Sequence, residues 1–149
     1  MSVTLEQLNT AIADTLRTVS ALKGGVQDID ELSEGIQDWP LAQVYWERYV
    51  PDTRAENNER TTFGAGVRVA GATFHIDGFV AKANHLGQNM LAVVQVADAV
   101  IAKLDAQRTK PYFGLTGIQG FRWTMERATF PYADQTFRGF RVVLDLVVF

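Results

Sequence analysis

The end of the chain leaves little freedom of interpretation. Phe140, Val142, Leu144, Leu146 and Val148 occupy every second position, with Arg141, Val143, Asp145 and Val147 between them. A period of two belongs to a strand with one buried face and excludes a helix. The segment before it repeats the pattern, because Phe121, Trp123 and Met125 alternate with Arg122, Thr124 and Glu126, and residues 131–135 read as the hairpin turn that joins the two strands. Val143, Val147 and Phe149 lie on the face opposite the main apolar set. That second face needs cover, from a helix of the same chain or from a neighbour.

Elsewhere the period changes. Residues 5–22 place Leu5, Leu8, Ile12, Leu16, Val19 and Leu22 three and four apart, one stripe on a helix, with Thr4 as N-cap and Gly24-Gly25 as stop. Residues 89–104 show the same spacing in Met90, Val93, Val94, Ala97, Val100, Ile101 and Leu104, with Gln95, Asp98 and Lys103 off the stripe. Between these helices, residues 41–50 are rich in β-branched and aromatic types (Val44, Tyr45, Trp46, Tyr49, Val50) and predict a strand closed by Pro51-Asp52. Residues 64–83 hold Val67, Val69, Phe74, Ile76, Phe79 and Val80, interrupted by Gly71 and Gly78, and predict a long strand bent or bulged at its glycines and ending at Asn84-His85.

Two stretches have little to bury. Residues 52–62 (Arg54, Glu56, Asn57, Asn58, Glu59, Arg60 among them) predict a solvated loop or hairpin tip. Residues 26–40 carry Asp28, Asp30, Glu31, Glu34 and Asp38 without a lysine or arginine, while Ile29, Leu32 and Ile36 stand at near-helical spacing. A short acidic helical turn or loop is expected there. The resulting order of helix, strand, strand, helix, strand, strand predicts an α+β fold. Its sheet is expected to be mainly antiparallel, of about four strands in two hairpins, with the N-terminal and central helices packed on one face.

The 149 residues contain no repeat, low-complexity run or linker, so residues 1–149 are expected to form a single domain. A chain of this length with 47% hydrophobic residues can bury a sufficient core without a staple. It has no cysteine, which removes disulfides, cysteine-based zinc sites and thiol nucleophiles together. No stretch is apolar for long enough to span a bilayer, and the first residues lack the order of a signal peptide, so an intracellular protein is expected.

Catalytic signals are sparse. The two histidines, His75 and His85, stand ten residues apart, too few and too dispersed for a metal site. His75 and Asp77 share one face of a strand, where a histidine–carboxylate contact is sterically open, yet no serine or lysine is marked as a nucleophile beside them. Gly64-Ala65-Gly66 lacks the third glycine of a dinucleotide fingerprint, and the acidic run lacks the spacing of a calcium loop. Residues 103–141 hold seven basic side chains against three acidic ones, interleaved with Tyr112, Phe113, Phe121 and Trp123. The alternation of Phe121 and Trp123 assigns them to core packing, and the net charge of −3 opposes a dedicated nucleic-acid binder. What remains is charge asymmetry, acidic near the start and basic near the end, which suits head-to-tail contact between copies.

The opening helix over residues 5–22, the strand Thr73-Phe74-His75-Ile76-Asp77-Gly78-Phe79-Val80, the helix containing Val96-Ala97-Asp98-Ala99-Val100-Ile101 and the ending Phe137-Arg138-Gly139-Phe140-Arg141-Val142-Val143-Leu144-Asp145-Leu146 together resemble the tail-terminator and tail-completion proteins of long-tailed bacteriophages. The resemblance is one of layout and covers most of the chain, apart from residues 28–38 and 52–62. It implies a non-enzymatic virion protein without a cofactor, assembled in the host cytoplasm and resident in the tail or neck. Such a protein forms a ring, usually hexameric, at the head-proximal end of the tail tube, stops tube polymerisation and joins the tail to the head. The implied partners are further copies of the chain, the tail tube protein and the head–tail connector protein, with DNA only passing through the lumen and no membrane.

Within that reading, Arg54, Glu56, Glu59 and Arg60 on the polar loop, with Arg108, Lys110, Tyr112 and Phe113 on the basic connection, are the expected contacts to neighbouring subunits. Two other classes fit the same residues. One is a connector or tube subunit of the same particle. The other is a small-molecule-binding α+β domain with a pocket near Trp46, Trp123 and Tyr112.

Overall fold

The computed structural model describes residues 3–28, 39–51, 70–82, 90–132 and 135–148. In chain order they form α1 (Leu5–Arg17), β1 (Val26–Asp28), β2 (Leu41–Val50), β3 (Ala70–Lys82), α2 (Met90–Asp105), two 3-10 turns (Ala106–Arg108 and Tyr112–Gly114), β4 (Ile118–Tyr132) and β5 (Gln135–Val148).

Thr4 caps α1 as expected. Its hydroxyl accepts from the Gln7 amide at 3.1 Å, and the Gln7 side chain accepts from the Thr4 amide at 2.9 Å, a reciprocal capping box. The helix stops at Arg17, short of the expected residue 22. The Thr15 hydroxyl bonds back to the Ala11 carbonyl and the Thr18 hydroxyl to the Thr15 carbonyl, offering the backbone alternatives to a continued ladder. Val19 and Leu22 are buried all the same, in turns rather than on a helix.

The expected four-stranded, mainly antiparallel sheet is corrected to a mixed sheet of five strands in the order β1-β2-β3-β5-β4, with β1 and β2 parallel. The strand missed from sequence is β1, three residues at the head of the acidic run and too short to display a period. Gly25, at φ +89, turns the chain into it, and the hydrogen bonds from Gly24 N to Pro40 O and from Ala42 N to Gly25 O align it beside β2. The rest of the acidic segment, the polar loop over 52–62 and the Asn84-His85 strand end lie outside the described residues, as does the first part of the expected strand over 64–83.

The two antiparallel pairs β2/β3 and β4/β5 are joined through β3 and β5 at the centre. β3 carries its register shift at Val80, two residues beyond Gly78, and β2 carries one at Glu47. β4 is longer than the alternation over 121–126 suggests and takes in Pro131, which an edge strand tolerates.

One face of the sheet carries the main core. Phe74, Ile76, Phe140, Val142, Leu144 and Leu146 meet Leu8, Ile12 and Leu16 of α1 and Val93, Val96, Val100 and Leu104 of α2. α1 lies against β1 and β2, and α2 against β3 and β5. β4 is reached by the Tyr112–Gly114 turn, so its inner row of Phe121, Trp123 and Met125 sits at the core's margin, half-buried.

Candidate functional site

On the opposite face of the sheet, against which no described helix packs, the alternate residues of β2, β3 and β5 converge. Register places Gln43, Asp77 and Arg141 in one row and Tyr45, His75 and Val143 in the next. Arg141 grips Asp77 with a two-pronged contact, Nε to Oδ1 at 2.8 Å and Nη2 to Oδ2 at 3.1 Å. The Tyr45 hydroxyl donates to Asp77 Oδ2 at 2.8 Å, accepts from Arg141 Nη2 at 3.3 Å and lies 3.2 Å from His75 Nδ1. The other ring nitrogen of His75 stands 2.7 Å from Glu47 Oε2. Five polar side chains from three strands thus form one chain of contacts.

Burial decides what this chain can do. The Asp77 side chain is 6% exposed, whereas that of Arg141 is 33% and that of Glu47 50% exposed. Burial and the hydrogen bond to Asp77 push the Tyr45 phenol up to about 12, so it is a neutral donor and not a nucleophile at ordinary pH. The hydrogen bond to Asp77 also pushes the Arg141 guanidinium further into its charged form. One end of the network is closed by Phe79, Phe130 and Phe137 with Trp39, and the Arg141 guanidinium lies 5.3 Å from the centre of the Phe130 ring. The arrangement holds a charge pair rigidly and presents no activated attacking group. Among the described residues no group of three or more histidine, aspartate or glutamate side chains is placed to hold a metal.

The sequence points to His75 and Asp77 on one strand face, and they do share it. Their partners differ from the expected contact: His75 meets Glu47 and Tyr45, while Asp77 meets Arg141 and Tyr45. Tyr45 and Arg141 were missed. The polar alternation Thr73, His75, Asp77 against Phe74 and Ile76 marks the face, but only the strand register identifies which residues of β2 and β5 oppose it.

The expected interface residues divide. Arg54, Glu56, Glu59 and Arg60 lie outside the described residues. Arg108 is exposed and paired with Asp105 at 3.1 Å, and Lys110 is exposed. Tyr112 is half-buried, and Phe113 is buried. Phe113 and Gly114 adopt φ +52 and +74, and the Phe113 ring stands 5.0 Å from that of Phe121. A left-handed phenylalanine costs about 1–3 kcal/mol and persists only where packing dictates it.

Of the three residues expected to line a pocket, Tyr112 and Trp123 share a recess, and Trp46 is not among the described residues that line it. Trp46, Phe74, Leu144 and Trp123 lie in one row across β2, β3, β5 and β4, which separates the two tryptophans by three strand spacings, roughly 14 Å. Tyr112 and Trp123 share a recess of about 300 Å³ with Phe121, Arg108 and Arg122. A larger groove of about 640 Å³ runs between the polar side of α1 (Glu6, Thr10, Asp14) and Lys103, Gln107 and Phe113. No family model matches the chain, and no curated relative matches it.

Proposed function

We propose that the chain is a structural virion protein, a tail terminator that forms a ring at the head-proximal end of a phage tail tube, ends tube growth and presents the surface that joins the head. The layout resemblance brings this reading, and the observation that carries it furthest is the sheet. Its polar face is stiffened by the Tyr45–Asp77–Arg141 network, and no described helix packs there. A rigid polar face, and an outer strand, β4, with no described strand beyond it, are surfaces for protein contact. The network, with its neutral phenol and fixed ion pair, serves shape rather than turnover.

In this role the ring matches the last tube ring on one side and offers a different surface on the other, so growth ends because the template ends. Arg108 and Lys110, exposed beyond α2, contact the neighbouring subunit together with Arg54 and Arg60. Electron microscopy of particles assembled without this chain tests the reading. Overlong, headless tails are the expected result. Tails of normal length beside tailless heads would make it a connector, and unaffected particles would discard a virion role. Reversing charge at Arg54, Arg60, Arg108 and Lys110 together is expected to block assembly while the variant remains folded by circular dichroism.

A further inference from the structure

β4 is the outermost strand of the sheet, with β5 on one side and no described strand on the other. At 15 residues it is also the longest of the described strands. A long free edge exposes a row of backbone donors and acceptors, and proteins that keep one open usually blunt it. Here the edge is neither short nor covered among the described residues, and its one register irregularity lies near its start, at Gln119.

We propose that β4 pairs antiparallel with β4 of a second copy, about a two-fold axis through Thr124. In any two-fold pairing of identical antiparallel strands one residue faces itself, and residues equally spaced on either side of it face each other. With Thr124 at the centre, Arg122 opposes the second copy's Glu126, and Glu126 opposes its Arg122. On the other face Trp123 opposes Met125 and Phe121 opposes Arg127, which set a thioether and a guanidinium against aromatic rings. Every pair across the central seven residues is complementary.

The neighbouring registers set no like charges together but lack this cross-strand ion pair, which would add to the contact of Arg122 Nε with Asp145 Oδ2 at 3.6 Å in the same chain. Centring the axis on Met125 places Arg122 against Ala128 and Glu126 against Thr124, and centring it on Trp123 places Glu126 against Gly120. Thr124 alone brings the exposed Arg122 and Glu126 together.

A second observation points the same way. Phe121, Trp123 and Met125 are half-buried because α2 lies over β3 and β5 and stops short of the edge. A paired second sheet extends the apolar row and covers what the helices leave open. The pairing concerns the free protein and does not rest on the tail reading.

The chain's lack of cysteine makes the test direct. Wild-type protein is expected to show by light scattering twice the chain mass of 16.6 kDa. Thr124→Cys, incubated with oxidised glutathione, is expected to form a disulfide-linked dimer, because residues opposite each other in antiparallel strands have Cα atoms about 4.5–5.5 Å apart, within disulfide reach. Glu126→Cys alone is expected not to cross-link, whereas a mixture of Arg122→Cys and Glu126→Cys chains is expected to form the mixed dimer. Glu126→Arg, which turns two attractive pairs into repulsive ones, is expected to weaken association roughly tenfold or more. A monomeric wild type at about 100 μM, well above the Kd of a weak specific dimer, overturns the proposal. So does cross-linking of Glu126→Cys as efficient as that of Thr124→Cys, since it means another register or random collision.

Discussion

The Arg141 guanidinium and the Asp77 carboxylate meet through two parallel hydrogen bonds across the central strands β3 and β5, on the face of the sheet against which no described helix packs. The carboxylate is almost fully enclosed and the guanidinium only partly so. The two sides of the pair are therefore not equivalent. Removing the arginine strands a buried charge, whereas removing both groups leaves none.

Arg141→Ala is expected to destabilise the fold by about 3 kcal/mol, the lower end for breaking a buried pair, because a third of the arginine is already in water. The double variant Asp77→Leu with Arg141→Leu is expected to recover much of that loss, since apolar replacements leave no charge to solvate. Urea unfolding midpoints at constant m measure both. Equal losses in the single and double variants would show that packing, and not the stranded charge, sets the cost.

Tyr45 supplies a spectroscopic handle on the same network. Its phenol is pushed up to about 12, from an ordinary value of 10.0, first by burial and then by the hydrogen bond to Asp77. The folded value is raised, so the stabilisation is fully present below pH 10 and is lost as pH rises from there through about 12. Ultraviolet titration is expected to show a late phase that disappears in Tyr45→Phe. The wild type's thermal midpoint is expected to fall over the same alkaline window, more steeply than that of Tyr45→Phe.

The elements with a period could be read from sequence and the others could not. β2, the span of α2 and the inner rows of β4 and β5 stand where their apolar spacing places them, and Thr4 caps α1 as its side chain suggests. The buried stripe of α2 is turned from the expected one: Val94 is exposed and Val96, off the expected stripe, is buried. β1 has three residues and no period, so neither the fifth strand nor the parallel pair could be anticipated. The network suffers from the same limit in another form. Alternation places His75 and Asp77 on one face, but Tyr45 and Arg141 lie 30 or more residues away in sequence, and only register brings them together. The sequence reports that Trp46 and Trp123 are aromatic, but not that they stand on the same face three strands apart.

The N-cap is separable from the sheet. Thr4→Ala removes the acceptor for the Gln7 amide at the start of α1 and is expected to cost about 1 kcal/mol. Thr4→Ser keeps that acceptor and is expected to stay close to wild type. Thermal melts of the two variants distinguish loss of the cap from loss of the threonine methyl group.

Gly78 leaves no room for a side chain beside the Phe140 ring at the centre of the sheet. They are cross-strand partners, and a Cβ at position 78 would overlap the Phe140 ring, which is 1% exposed and enclosed by the main core. The ring cannot swing away, since the space around it is filled by other core side chains. Gly78→Ala is therefore expected to cost about 1–3 kcal/mol by overpacking, despite the better strand propensity of alanine. Phe140→Leu alone leaves a void and is also expected to destabilise. Combined, the two changes are expected to cost less than their sum, because the smaller leucine vacates the volume that the new methyl group enters. A double-mutant cycle by urea denaturation reads the coupling directly, and strict additivity would mean that the strand backbone, rather than the Phe140 ring, absorbs the added methyl group.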